Sequence, residues 1–235
     1  MMKFAADLHI HSCLSPCGDM SMTPNNIVNM AYLKGLDIIA VADHNSALNL
    51  PAISKLARER DILLIPAIEA ESREEVHVLC YMPTLEAAML FGEYLHENLP
   101  PVSNVPELFG EQVVMDEADV PIAKEEYLLV QSTLLSINEI CEKCRALFGV
   151  PIPAHINRPS TSVIASLGFI PKELHFTSVE VKNTLPPPNI DLSSYHVLYS
   201  SDAHYLEDIL EREMFISLKE KSIEEFLAYI AKQKL

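Results

Sequence analysis

Apolar positions along this chain recur in two alternating rhythms, short runs that suit strands and wider spacings that suit helices. KFAADLHI, from Lys3, reads as a strand. After a loop comes the helical stretch TPNNIVNMAYLKG, with Thr23 as N-cap, Pro24 as first helical residue and Gly35 as stop. LDIIAVADH is an apolar run of the kind buried in a parallel sheet, and LPAISKLARERD is helical by its Ile53, Leu56, Ala57 spacing. ILLIPAIEA and EVHVLCYM follow as strands and LEAAMLFGEYLHENL as a helix. Residues 100–133 break the rhythm: they are rich in Pro and acidic residues, and QVVM and VPIA flank DEAD as a hairpin, which predicts an insertion or cap.

Beyond the insertion the pattern resumes with helix SINEICEKCRALFG, strand VPIPAHI, a short helix around STSVIASLG, strands SVEVKN, HVLYSSDAH and EMFISL, and helix SIEEFLAYIAKQK. Strands separated by amphipathic helices predict an α/β fold with a parallel sheet wrapped by helices. The 235 residues are enough to close that sheet into a barrel, and no Gly/Ser-rich linker divides them, so one domain over 1–235 is expected.

Composition narrows the function classes. A net charge of −16 with no Lys/Arg run argues against long DNA or RNA as the main ligand. No window has the length of apolar sequence that spans a membrane, and the N-terminus lacks a signal peptide's charged and apolar regions, so a cytoplasmic protein is expected. Five cysteines without a secretory signal do not suggest a disulfide framework. Cys141 and Cys144 form a C-x-x-C, but they share one helical face with Ile137, Ile140, Leu147 and Phe148, and core packing explains them better than a zinc ribbon.

The histidines change the picture. His9 and His11 close the first strand, Asp43 and His44 the second, and Glu69 the third; His77 lies in the fourth; His155 ends IPAHI, and Asp202 and His204 end SSDAH. His96, His175 and His196 fit ordinary polar positions instead. In a parallel α/β barrel the C-terminal strand ends meet at one mouth, so the first group converges. Several unpaired imidazoles and carboxylates buried in one cleft would each cost stability, and a bound metal removes that cost. The mixed His/Asp/Glu set suits divalent Zn, Mn or Fe, with Glu69 placed to bridge two ions, and residues i and i+2 of a strand let His9 and His11 face inward together.

In this order and spacing DLHIHS, VADHN, the Glu69 to His77 stretch, PAHINR and SSDAH resemble the motifs of the polymerase and histidinol phosphatase (PHP) family over most of the chain. The resemblance implies a distorted (β/α)7 barrel with two or three divalent metal ions at its mouth, hydrolysing phosphoesters with a metal-activated water and no side-chain nucleophile. It implies a first ion held by His9, His11, Glu69 and Asp202, and a second held by Glu69, His77 and His155. A third would lie on His44 and His204 with a residue from CLSPCGDMSMTP, where Asp19 is the choice and Cys17 the alternative, because this loop departs from the family's commoner patterns.

Arg158, just after His155, is placed either to grip a phosphate oxygen or to pair, as a surface arginine, with one of the many carboxylates; Asp43 is placed to orient a ligand histidine, and Lys182 to assist. The expected substrate is a small phosphorylated one: a nucleotide, a short oligonucleotide end or a sugar-like phosphate. The competing readings are a non-catalytic PHP-type regulatory module and a metal-dependent hydrolase of C–N bonds, the latter often marked by a bridging lysine.

Overall fold

Thr23 caps the first helix as its sequence predicts: the side-chain oxygen accepts from the Asn26 N–H at 3.3 Å, Pro24 opens α1 (Pro24–Leu33), and Gly35 takes φ +70° just beyond it. The structure, a computed structural model, describes residues 1–232; the end of the predicted C-terminal helix, from Gln233 on, lies outside them. Before α1 runs β1 (Met2–Ile10); after it come β2 (Ile38–Val41), α2 (Leu50–Glu59), β3 (Leu63–Glu71), β4 (His77–Tyr81) and α3 (Leu85–Glu97). The 100–133 stretch holds a one-turn helix α4 (Pro106–Phe109) and the predicted hairpin, β5 (Val113–Met115) with β6 (Pro121–Lys124). There follow α5 (Ile137–Ala146), β7 (Val150–Pro153), α6 (Val163–Leu167), β8 (Ser178–Lys182), β9 (His196–Ser200), β10 (Phe215–Leu218) and α7 (Ile223–Ile230). A reciprocal capping box starts α5, with Ser136 N–H donating to Glu139 Oε2 at 2.8 Å and Glu139 N–H to Ser136 Oγ at 3.3 Å.

The sheet corrects one expectation. Its order is β10-β1-β2-β3-β4-β7, and only β1/β2 and β2/β3 are parallel; β10, β4 and β7 pair antiparallel with their neighbours. The reason is the link from β3 to β4, a tight turn closed by Ser72 N–H to Val76 O at 3.0 Å: a parallel return needs a dozen or more residues. A second, parallel sheet of β8 and β9 spans the open side of the curl. It meets the first sheet at the Ile10/Ala203 bridge and through Ile156 N–H to Glu180 O at 2.9 Å. Among the described residues the wall is thus a six-stranded and a two-stranded ladder, with the β5-β6 hairpin apart from it, and the seven-strand count that the resemblance implies is not reproduced as such.

Alternation along the strands sorts the core into two layers. Outward positions such as Ile39, Val41, Ile68 and Val78 pack under α1, α2, α3 and α5, while inward positions such as Ala40, Ile65, Ala67, Leu79 and Tyr81 fill the interior, where α7 seats Phe226 against Tyr81. In β1 the phase inverts: Ala6 and Leu8 are inward but Ile10 is outward, and the register to β2 shifts between Asp7 and Ile10. A bulge of this kind re-aims side chains, and it turns His9 and His11 inward. The 100–133 segment packs on the loops after β1 and β2: Val113 N–H donates to Cys13 O at 3.0 Å, and Asn45 Nδ2 to Leu129 O at 2.8 Å. Gly110, at φ +99°, passes so close to Pro16 O that a Cβ there would lie 2.1 Å away. Among the described residues no helix is long and apolar enough to cross a membrane.

Candidate metal centre

Glu69 sits at the centre of the converging side chains and divides them between its two oxygens. Oε1 lies 2.8 Å from His77 Nδ1 and 2.8 Å from His155 Nε2. Oε2 faces His44 Nδ1 at 3.2 Å, His11 Nε2 at 3.4 Å and His9 Nε2 at 3.5 Å. Asp202 is divided as well: Oδ1 looks in toward His11 Nε2 at 3.3 Å, while Oδ2 meets Lys182 Nζ at 2.9 Å and Arg158 Nη1 at 3.3 Å. His9, His11, Glu69 and His155 are fully buried, and His44, His77 and Asp202 nearly so.

Each ligand candidate arrives by a different route. His77 opens β4 instead of ending a strand; because β4 runs antiparallel to β3, its N-terminal end lies at the mouth, paired with Glu71. His155 and Asp202 leave their strands with φ +24° and +52°, backbone strain of the kind that persists where surrounding contacts over-determine it. His204 lies over the His11 ring with centroids 4.3 Å apart. Asp19, like Cys17, is exposed, but it does not join the group: its carboxylate accepts from Ser21 N–H at 2.8 Å. The alternative, Cys17, stands within ligand distance of His11, His44 and His204, their donor atoms all within 4.8 Å of one another. The sets His9, His11, Asp202 and His44, Glu69, His77 meet the same measure.

Carboxylates and hydroxyls stand behind the imidazoles. Asp43 accepts from Ser15 Oγ at 2.7 Å, and Ser15 Oγ lies 3.0 Å from His11 Nδ1, so Asp43 acts on His11 through a hydroxyl. Glu71 Oε2 is 3.2 Å from His77 Nε2, and Glu180 is 3.0 Å from His9 Nδ1. Sequence reading assigned no role to Ser15, Glu71 or Glu180. Period-two alternation was the available signal for Glu180, since Val179 and Val181 point out to the helices. His96, set aside as ordinary, pairs with Glu125 at 3.2 Å away from the centre.

In the protein alone the charges are held by mutual attraction. Burial raises the Glu69 carboxyl, but His77, His9 and His44 outweigh it and hold it well below the usual range. Burial likewise lowers His9, yet Glu180, Glu69 and Asp202 push it well above normal; His77, by the same balance against Glu69 and Glu71, rises to about 9. Burial wins at His44, pushed well down, and at His204, lowered to about 4. It also lifts the Cys17 thiol, with Glu69 and Asp202, to about 12. Glu69 Oε2, Asp202 Oδ1 and His44 Nδ1 are buried and make no hydrogen bond. Such orphaned acceptors and imidazole nitrogens, facing one another with N and O donors only plus one thiol, fit divalent cations of the zinc, manganese or iron kind.

No family model matches the chain. An uncharacterised protein of Methanocaldococcus jannaschii is 30% identical over 163 residues, 69% of this chain but 18% of that protein. Among solved structures, the lesion-specific endonuclease Q of Pyrococcus furiosus superposes with a TM-score of 0.68 at 22% identity, over 98% of this chain and 56% of that one. An endonuclease Q complex with a 27-mer duplex substrate carrying an abasic lesion at the active site gives 0.67 at 20%, over 99% and 58%. The chain thus spans little more than half of those enzymes. A protein described as a metal-dependent phosphoesterase of Bifidobacterium adolescentis gives 0.58 at 19%, over 85% and 87%, and an amidohydrolase of Chromobacterium violaceum 0.60 at 15%, over 98% of both chains.

The duplex-bound structure overturns one expectation: a protein of this fold holds long DNA at its active site, so net charge does not set nucleic acid aside. Net charge sums over the whole surface, whereas strand binding needs only a local cationic edge. The chain thus shares its α/β fold with endonuclease Q, with the protein described as a metal-dependent phosphoesterase and with the amidohydrolase.

Proposed function

We propose that this chain is a metal-dependent phosphoesterase whose centre is His9, His11, His44, Glu69, His77, His155, Asp202 and His204, with Cys17 completing the set at the loop. The observation that carries the reading is the split of Glu69, one oxygen toward His77 and His155 and the other toward His9, His11 and His44, as a carboxylate shared by two cations requires. Divalent ions held by these residues would supply an activated water and neutralise charge on the phosphoryl oxygens. The chain's own part is to fix the ligands, exclude bulk water by burying all of them but Cys17 and His204, and offer Arg158 and Lys182 at the edge of Asp202, 30% and 23% exposed, as donors for the non-reacting phosphate oxygens.

The same pair argues for phosphoester over C–N bond chemistry: Lys182 reaches Asp202 Oδ2 and leaves Glu69 to the imidazoles, so it is not placed as a bridging lysine. Segment 100–133, anchored on the loops that carry His11 and His44, is the cap. Nucleotides, oligonucleotide ends, sugar phosphates and duplex DNA with an abasic site are all within the substrate class. The test is protein reconstituted with Zn, Mn or Fe and assayed against that panel beside amides and lactones. Phosphoester turnover that falls at least 100-fold in Glu69→Ala is expected; turnover of amides alone, or phosphoester turnover indifferent to Glu69, would overturn the proposal.

A further inference from the structure

Glu180 is buried in the middle of β8, between outward-facing Val179 and Val181, and no ligand role is open to it, because it stands behind the His9 ring. Its Oε1 lies 3.0 Å and its Oε2 3.2 Å from His9 Nδ1, while His9 Nε2 faces the opposite way, 3.1 Å from His11 Nε2. Its Oε2 accepts from His155 N–H at 2.7 Å, and its backbone carbonyl accepts from Ile156 N–H at 2.9 Å. One residue therefore grips consecutive amides at the point where His155 takes its strained φ of +24°. It also lies on the seam where the β8-β9 sheet meets the six-stranded sheet.

We propose that Glu180 is a positioning residue that presets two arms of the metal centre at once, aiming His9 by its ring and His155 by its backbone; this rests on the metal-centre reading above. A hydrogen bond from Nδ1–H to Glu180 leaves the His9 Nε2 lone pair pointing inward, the tautomer a ligand needs. The carboxylate form matters because both of its neighbours are donors. A carboxamide of the same shape has one acceptor oxygen, and the His155 amide can only donate. With that oxygen on His155, the NH2 group takes the nearer, 3.0 Å place beside His9 Nδ1 and offers it a donor where the carboxylate offered an acceptor, which gives weight to the tautomer whose proton sits on Nε2 and blocks the inward lone pair.

The experiment titrates the full, metal-depleted chain with Zn(II) against a competing chelator, for wild type and Glu180→Gln, and records thermal unfolding of both without metal. Affinity of the folded fraction weaker by 10- to 100-fold in Glu180→Gln, roughly the effect of losing such a partner, is expected. Binding within threefold of wild type, or a fall in melting temperature with the folded fraction binding normally, overturns the proposal. Should the variant not fold, the zinc-loaded wild type decides. A ring proton on His9 Nδ1, seen in nitrogen-resolved histidine spectra and assigned by its loss in His9→Ala, supports it, and zinc held through Nδ1 refutes it. A wild type that binds no zinc removes the metal-centre reading itself, a result distinct from either outcome for the variant.

Discussion

Raising the pH of the metal-depleted protein from 6.5 to 8.5 should weaken its fold, and the buried His77 sets the size of the effect. His77 rises from 6.5 to about 9 in the folded state, because Glu69 Oε1 at 2.8 Å and Glu71 Oε2 at 3.2 Å overcome its burial. The folded chain thus keeps a proton that the unfolded chain releases. The stability this contributes is complete below 6.5 and lost as the pH climbs through about 9. At about 1.4 kcal/mol per pH unit the whole shift is worth roughly 3 kcal/mol, most of it gone by pH 8.5. His9 and His11, also raised by neighbouring carboxylates against burial, act in the same direction.

Urea unfolding followed by circular dichroism in excess chelator reads the change as a fall in midpoint of roughly 1 M, taking a slope of about 3 kcal/mol per M. Glu69→Gln should flatten the decline, since it removes the carboxylate that holds the His77 proton. A midpoint that is level or rising over this window, or one that falls as steeply in Glu69→Gln, refutes the reasoning. Below pH 6.5 the sign reverses, because His204, lowered to about 4 by burial and His11, stays neutral in the fold while the unfolded chain takes up protons.

Two further outcomes test the edges of the site. Cys17→Ala should lower the metal content per chain measured by elemental analysis, whereas Asp19→Asn, an exposed residue bonded to Ser21, should leave it unchanged; equal losses would restore Asp19 as a ligand. Arg158→Ala should raise KM for a phosphoester by about tenfold, near 1.4 kcal/mol, with metal content unchanged, and Arg158→Lys should recover only part of it because the planar fork is lost. A KM unaffected by both changes would place Arg158 as a partner of Asp202 alone.

Much of the site was legible because its chemistry is carried by residue types that are costly to bury. His9, His11, His44, Glu69, His155 and Asp202 stood out at strand ends, and strand ends follow from local periodicity. Their convergence required only that the strand ends meet at one mouth, which for Asp202 means the β8-β9 sheet joining the first at Ile10 and Ala203. The parts that were not legible depend on direction and phase. His77 was expected at the mouth by way of a parallel strand and reaches it because β4 runs the other way. Which of Cys17 and Asp19 lies beside His11, His44 and His204 depends on how the loop after β1 folds under the 100–133 segment, where Gly110 passes against Pro16 O.

By itself, then, the order of apolar runs, caps and breakers determined the elements, and the placement of imidazoles and carboxylates singled out the residues of the candidate centre. Local propensity and side-chain chemistry are properties of short stretches, which a sequence states directly. Only the tertiary structure decided that a shift in β1 turns His9 and His11 inward, that the wall is six strands and two, and that Glu180 from a distant strand stands behind His9. These depend on which backbone groups find partners across the sheet and on the interior volume left to fill. Both are settled by the whole chain at once.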